Sequence, residues 1–437
     1  MAFLVSPGVQ VNEVDLTNVV PAVATSIGAI AGAFEKGPVS TIVNISSEEE
    51  LVEIFGKPTT TGNQFETFFS AANFLKYTDS LKVVRAESAI VNAGANSGIL
   101  IRDLDHYDAS FSTGQGSHGE WAARTAGTHG NSLRVEICPS ATAYEQDLST
   151  NNLVNGAGAV GDTTITVDDA DASGYAFNVG DLISFYSDTS NVVSIDDFNE
   201  YQVVSISGEV LTIRLKDDPS GAGLQNIIPD DSKIKRRWKY ADLFQGAPGT
   251  SEYNTNNGRG SNDELHVVVA DADGLITGFD TDTAGNRTKA VIETFGNMSK
   301  NSSAKSPQGD SIYYADVIRA KSNFIYWTDH ISAGSNWGTD TTTTYTSVVP
   351  ITIDTLTGGT DDYSTTAGEI ELAYDKFKDT ESEDINLVIG GSSSLVADTA
   401  AAHDTHVTMI TNLVEGRKDC VGFVSPYRSA TVGVTTS

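Results

Sequence analysis

Two histidines come nearest to a reactive pattern in this chain. His403-Asp404-Thr405-His406 sets two imidazoles at i and i+3 in a stretch with helical periodicity, so one helix face presents both. A third ligand at helical spacing is missing, and so is the His-Glu-x-x-His pattern, which favours a solvated helix face over a metal site. Gly358-Gly359-Thr360-Asp361-Asp362 has the glycines of an anion-cradling loop. It lacks a lysine and its two carboxylates repel phosphate, which leaves a tight turn before a helix. Asp168-Asp169-Ala170-Asp171 and Asp271-Ala272-Asp273-Gly274 group the oxygens that calcium takes. Neither runs on to the glutamate that closes a calcium loop, so both read as turns. No nucleophile elbow and no GxGxxG after a strand occurs, and aspartates are too abundant for a glycosidase pair to stand out. The sequence therefore assigns no catalytic, cofactor-binding or metal-ligating residue, and it calls for no cofactor.

The bulk properties agree with a non-catalytic reading. The chain has 437 residues, a net charge of −31 and a sequence pI near 4.4. So acidic a surface repels phosphate backbones, which argues against nucleic acid as a partner. The exception is Lys233-Ile234-Lys235-Arg236-Arg237-Trp238-Lys239, a basic run with an aromatic inside it. In this acidic context it reads as a linker strand or an ion-pairing surface. Two cysteines, Cys138 and Cys420, are too few and too distant in sequence for a disulfide scaffold. No window approaches the roughly 18 apolar residues of a membrane span, so no membrane insertion is expected.

The elements that would carry these residues follow from periodicity. Gly-rich Thr25–Phe34 and alternating Thr41–Ile45 read as strands. Ser47 with Glu50 three residues on has capping-box spacing for a helix over Glu48–Phe55, and Gly56 and Pro58 stop it. Gln64–Tyr77 predicts a second helix with Phe65, Phe68, Phe69, Ala72 and Leu75 on its apolar face, and Leu81–Arg85 a strand. Short strands and loops, with Ile99–Leu104 one candidate strand, are expected between Ala86 and Gly130, before a clean strand over Asn131–Ile137. Between 151 and 235, alternating runs separated by Gly, Asp and Asn turns predict a small barrel or sandwich. Leu265–Val269 reads as one arm of a hairpin turning at Asp271–Gly274 to Leu275-Ile276. Ser335–Thr346 reads as an exposed Thr/Gly loop. The last part is α/β again, with an amphipathic helix over Thr366–Phe377, a strand over Ile385–Ile389, a helix over Ala397–Val414 and a strand over Cys420–Pro426.

The fold class is therefore α+β and multidomain: a discontinuous α/β domain with an inserted β-rich middle domain and an outer small β-barrel or sandwich. The expected boundaries are 1–20 for an N-terminal arm, 21–87 with 345–437 for the α/β domain, 88–150 with 236–344 for the middle domain, and 151–235 for the barrel. The arm matters most. Ser6-Pro7-Gly8-Val9-Gln10-Val11-Asn12-Glu13 has a strand period, and a terminal strand ahead of a polar tether must pair with its own sheet or with a neighbouring chain.

Several segments resemble the contractile tail sheath protein of myovirus-type bacteriophages. They are that arm, Gly28–Pro38, Leu51–Pro58, Leu81–Ala86, Leu356–Asp361 and Asp419–Pro426. The resemblance is specific over 1–87 and 350–430 and weak over 150–235, which then corresponds to the variable, outward-facing domain. It implies a structural subunit in the virion tail, made in the host cytoplasm. Subunits would form hexameric rings stacked helically around a tail tube protein, between baseplate and tail terminator proteins. It implies an inter-subunit arm with Val5, Val9, Val11 and Val14, and a hinge with Asp15, Thr17, Asn18 and Pro21. It also implies a further C-terminal segment that this chain lacks. A truncated form or partial gene product would lose the tube contact and the acceptor sheet, and is expected to be monomeric or to polymerise poorly. The competing expectation is a β-rich virion adhesin or carbohydrate-binding protein, which the 151–235 region alone would allow.

Overall fold

The computed structural model describes residues 27–114, 116–148, 152–187, 194–218, 220–278, 290–391 and 397–432. These fall into two units. One comprises residues up to 34, 40–87 and 363 onward, and the other 35–39 and 88–362. The mixed α/β content, distributed over several sheets, is that of an α+β multidomain protein.

The first unit is built on a five-stranded sheet in the order Val421–Phe423, Leu387–Ile389, Gly28–Gly32, Leu81–Arg85, Ile42–Ile45. The first four strands run parallel and the last is antiparallel. Parallel strands covered on both faces need continuous apolar runs, and Gly28–Gly32 is buried along its whole length. Side-chain alternation splits it between two cores. Ala29 and Ala31 pack with Ile370, Tyr374, Ile410 and Leu413, whereas Ile30 packs with Leu51, Phe55 and Phe68. The strand must be small because the helix Gln64–Leu75 presses on it: a Cβ at Gly28 would lie 2.4 Å from the Phe74 ring.

Caps delimit the helices as the sequence predicts. Ser47 Oγ accepts from Glu50 N at 3.1 Å at the head of Glu48–Phe55. The Glu50 carboxylate turns back one residue further than a capping box, to Ser46 N and Ser46 Oγ, both at 2.7 Å. A complete capping box forms at Thr366 and Glu369, ahead of Ala367–Tyr374. The face expected for the second helix is rotated. Phe69 is 47% exposed, and Thr67, Phe68, Ala71 and Ala72 are buried.

In the second unit, an antiparallel sheet has the order Val291–Ser299, Glu264–Asp271, Leu133–Cys138, Thr352–Thr355. The hairpin expected at Asp271–Gly274 is not formed. Glu264–Asp271 pairs with Val291–Ser299, and the Asp271 carboxylate instead accepts from Gly274 N, Ile276 N and Thr277 N. A side chain that satisfies three backbone donors closes a loop, which removes the pairing that a two-residue turn would have set up. The region 86–130 also departs from expectation. Leu104–Ser110 is helical with Asp103 as its cap, and Ile99 contributes only an isolated bridge to Asn92. Trp121–Ala123 pairs with Ile325–Trp327. The Thr/Gly segment around 335–346 is anchored by Trp337 and Tyr345, both buried.

A second antiparallel sheet of this unit runs Glu145–Asp147, Lys233–Arg237, Leu182–Tyr186, Tyr201–Ser207, Val210–Leu215, Thr164–Thr166. Leu153 bridges to Lys233 and Val154 to Val167, which draws its two ends together around a core of Val154, Ile165, Phe185, Tyr201, Leu211 and Ile234. Closure removes exposed edges.

Candidate functional site

The arm residues Val5, Val9, Val11 and Val14 and the hinge residues Asp15, Thr17, Asn18 and Pro21 lie outside the described residues. The chemistry-bearing candidates all resolve into structural roles. His406 is buried, 6% exposed, with Nε2 2.6 Å from Gly390 O, and its pKa is lowered by burial. It is therefore a core residue, not part of the solvated face expected, because its turn of the helix faces the sheet. His403 instead lies against the Tyr427 ring, with the centroids 5.6 Å apart and the planes tilted by 50°. Among the described residues no three His, Cys, Asp or Glu side chains are placed to hold a metal ion.

The aspartate clusters are turns: Asp169 Oδ1 accepts from Asp171 N at 3.1 Å and Asp168 Oδ2 from Leu153 N at 3.2 Å. Gly358 has φ 77°, and Asn131 clamps Gly359 through both its N–H and its carbonyl.

The basic run forms the strand Lys233–Arg237 inside the six-stranded sheet, with its charges spent locally. Lys235 pairs with Glu145 at 2.7 Å, Arg237 with Glu200 at 2.6 Å, and Lys239 with the buried Glu136 at 2.6 Å. Hydrogen bonds from Arg237 and then Lys216 hold Asp242 down at about 2. Arg236 is buried and donates to Gln146 Oε1 at 2.6 Å. Trp238 Nε1 donates to Glu136 Oε2 at 3.0 Å. Cations used in this way are unavailable to a polyanion.

What the fold leaves open is an edge of the five-stranded sheet. Val421–Phe423 pairs on one side with Leu387–Ile389, and among the described residues nothing pairs with its other side. The strand packs through Gly422, where a Cβ would come within 2.9 Å of Ile410 Cγ2 and 3.1 Å of Val414 Cγ2. Alternation then turns Val421 and Phe423 to the opposite face, where they are 58% and 57% exposed. Their register partners on that face, Leu387 and Ile389, are half-buried.

An apolar, unpaired strand end is a template for another strand. Its base is rigid. Arg417, at the end of the helix Ala400–Arg417, donates to Phe377 O, to Asp379 O at 3.1 Å and to Glu383 O at 2.8 Å, and pairs with Asp419 at 2.9 Å. The sequence signals a strand at Cys420–Pro426 but not its exposure, because a continuous apolar run reads as buried.

The sheet that carries this edge also carries the family signal. Residues 25–86 match the model of the tail sheath protein Gp18 domain III N-terminal region. Over 99% of its length the chain is 25% identical to the tail sheath protein of Enterobacteria phage T4 and 24% identical to that of Salmonella phage ViI. It covers 63% and 62% of those two proteins. A 115-residue stretch, 23% of this chain and 16% of the relative, is 36% identical to the tail sheath protein of Vibrio phage KVP40. The chain also aligns with a sheath tail protein from Listeria innocua at a TM-score of 0.31 and 11% identity, over 89% of this chain and 45% of that one. The resemblance to tail sheath proteins of T4-like phages thus holds over nearly the whole chain, which spans less than two thirds of the relatives from T4 and ViI. Among the described residues no helix is long and apolar enough to cross a membrane.

Proposed function

We propose that the chain is a structural, non-enzymatic subunit of a contractile phage tail sheath. The observation that carries this reading is similarity to tail sheath proteins along 99% of the chain. The open edge at Val421–Phe423 supports it physically. Main-chain hydrogen bonds along an unpaired strand give strength without chemistry, and a tethered strand lets rigid bodies rotate without separating. In this reading copies of the chain assemble in stacked hexameric rings around a tail tube protein, between baseplate and tail terminator proteins. The arm with Val5, Val9, Val11 and Val14 pairs with a neighbouring subunit and swings about Asp15, Thr17, Asn18 and Pro21. The α/β domain of 21–87 and 345–437 forms the lattice, and the 151–235 domain faces outward. Contraction draws on interface energy, so no cofactor is needed. Antibodies against the chain, applied to tails of the phage that encodes it, should label the outer cylinder along its whole length in electron micrographs. Label confined to the tail tip or fibres would overturn the proposal in favour of an adhesin.

A further inference from the structure

One face of the paired strands Glu264–Asp271 and Leu133–Cys138 carries groups that are seldom buried. Register sets His266 opposite Cys138 and Val268 opposite Glu136, and all four are 0% exposed. The cover over this face is the chain leaving the six-stranded sheet, where Trp238, Tyr240 and Phe244 pack with Cys138 and Val268. Both ends of that segment are pinned. At the near end Tyr144 Oη donates to Ala241 O at 2.9 Å, and Asp242 pairs with Arg237 at 2.5 Å and with Lys216 at 2.8 Å. At the far end Gly249 N donates to Glu264 Oε2 at 2.8 Å.

Between these pins the segment rests on His266. The Phe244 ring stacks on the imidazole, with centroids 4.3 Å apart and planes 6° apart, and Nε2 lies 2.9 Å from Gly246 O. The other ring nitrogen faces the edge strand Val291–Ser299. There Gly296 and Asn297 together stand opposite the single residue His266, which makes a bulge. A Cβ at Gly296 would lie 3.0 Å from the Phe244 ring, and Asn297 has φ 51°. The bulge aims Asn297 N at His266 Nδ1, 3.0 Å away. A backbone N–H can only donate, so Nδ1 is bare and the ring proton sits on Nε2, donating to Gly246 O.

A protonated ring cannot keep this arrangement. A second proton on Nδ1 would face the Asn297 N–H, donor against donor, and would place a charge in a buried site. The surrounding groups do little for that charge. On the same strand, Glu264 Oε2 already accepts from Gly249 N and Asn297 Nδ2. Burial keeps the Cys138 thiol neutral, and Tyr144, its phenol also raised by burial, meets the ring edge-on. Glu136 is taken up by Lys239 at 2.6 Å and Arg134 at 3.1 Å. Burial accordingly lowers the His266 pKa, with partial offsets from the Gly246 and Leu265 carbonyls and from Glu264. Gly296 and Asn297 are exposed, so the bulge and the segment resting beside it can open to water ahead of either core.

We propose that Leu243–Pro248 is an acid-released strap with His266 as its catch: in acid the imidazole takes up a proton, drops Asn297 and frees the strap, uncovering the sheet face beneath. The hold of the neutral ring is fully present above about pH 6.5, the value of a free imidazole, and is lost as pH falls below it. With the released ring titrating at about 6.5, opening at pH 5.0 should exceed that at pH 7.5 by about 10- to 30-fold. Hydrogen exchange of the full chain, corrected for intrinsic rates, should show that rise at the Phe244 and Asn297 amides. Val203 in the six-stranded sheet and Val267 in the four-stranded sheet should keep their protection. His266→Asn offers an amide oxygen to Asn297 N and does not titrate, so its Phe244 and Asn297 amides should be equally protected at both pH values. If that variant fails to fold, His266→Gln carries the comparison. Equal protection of the wild type at both pH values, the same acid loss in a folded variant, or acceleration of Val203 and Val267 in step overturns the proposal.

Discussion

At the scale of residues, burial decides what each ionisable side chain does. Asp354 is an instructive case, because burial and then the charge of Glu120 push its carboxyl from 3.8 up to about 7. Below pH 4 the carboxyl is protonated in folded and unfolded chains alike, and it costs nothing. Between pH 4 and 7 the unfolded chain ionises first, so stability falls as pH rises, and the full cost is present above pH 7. Asp354→Asn removes that cost. With allowance for partial exposure, urea denaturation at pH 8 should show the variant more stable by about 1–3 kcal/mol. The gain should vanish near pH 4, and an equal gain at both values would mean that ionisation is not its source. The sequence marked Asp168, Asp271 and His406 as candidates and passed over Asp354. Local spacing speaks only for groups near in sequence, and Asp354 is shifted by burial and then by Glu120, more than 200 residues earlier.

Elements were more legible. The strand Leu81–Arg85, the helix Glu48–Phe55 and the helical face of Ile370, Ala373, Tyr374 and Phe377 follow from periodicity and caps. The failures have local causes. Phe69 was expected inside with Phe65 and Phe68. However, the helix turns Thr67, Phe68, Ala71 and Ala72 inward, and this rotation leaves Phe69 47% exposed. The capping box at Thr366 is worth about 1 kcal/mol, so Thr366→Ala should lower the midpoint of thermal unfolding by a few degrees without changing the assembled state. The open edge should behave in the opposite way. Val421→Lys with Phe423→Lys charges side chains that are already solvent-exposed. Thermal unfolding should be nearly unchanged, while co-assembly into tail sheaths, read by electron microscopy, is lost. Normal sheaths from the doubly charged variant would remove this edge from the lattice.

For the molecule as a whole, charge is the dominant fact. Copies carrying −31 each repel one another. At about 0.01 M salt the screening length is about 30 Å, and at 0.1 M it is about 10 Å. Self-association should therefore strengthen with added sodium chloride across that range, as measured by sedimentation velocity. Weakening with salt would imply that contacts between opposite charges dominate the interface.

Composition alone argued against nucleic acid as a partner, and motif spacing argued against metal and phosphate sites. Periodicity located most strands and helices, and residues 1–87 and 350–430 were enough to point to tail sheath proteins. These are local properties, carried by neighbours in the chain. Tertiary structure decided the rest. It set Lys233–Arg237 inside a closed sheet, turned Asp271 into a loop clamp, left Val421 and Phe423 facing solvent, and brought Glu120 close enough to Asp354 to act on its carboxyl. Each of these depends on contacts across tens or hundreds of residues, where burial and charge are set by whatever the fold brings alongside.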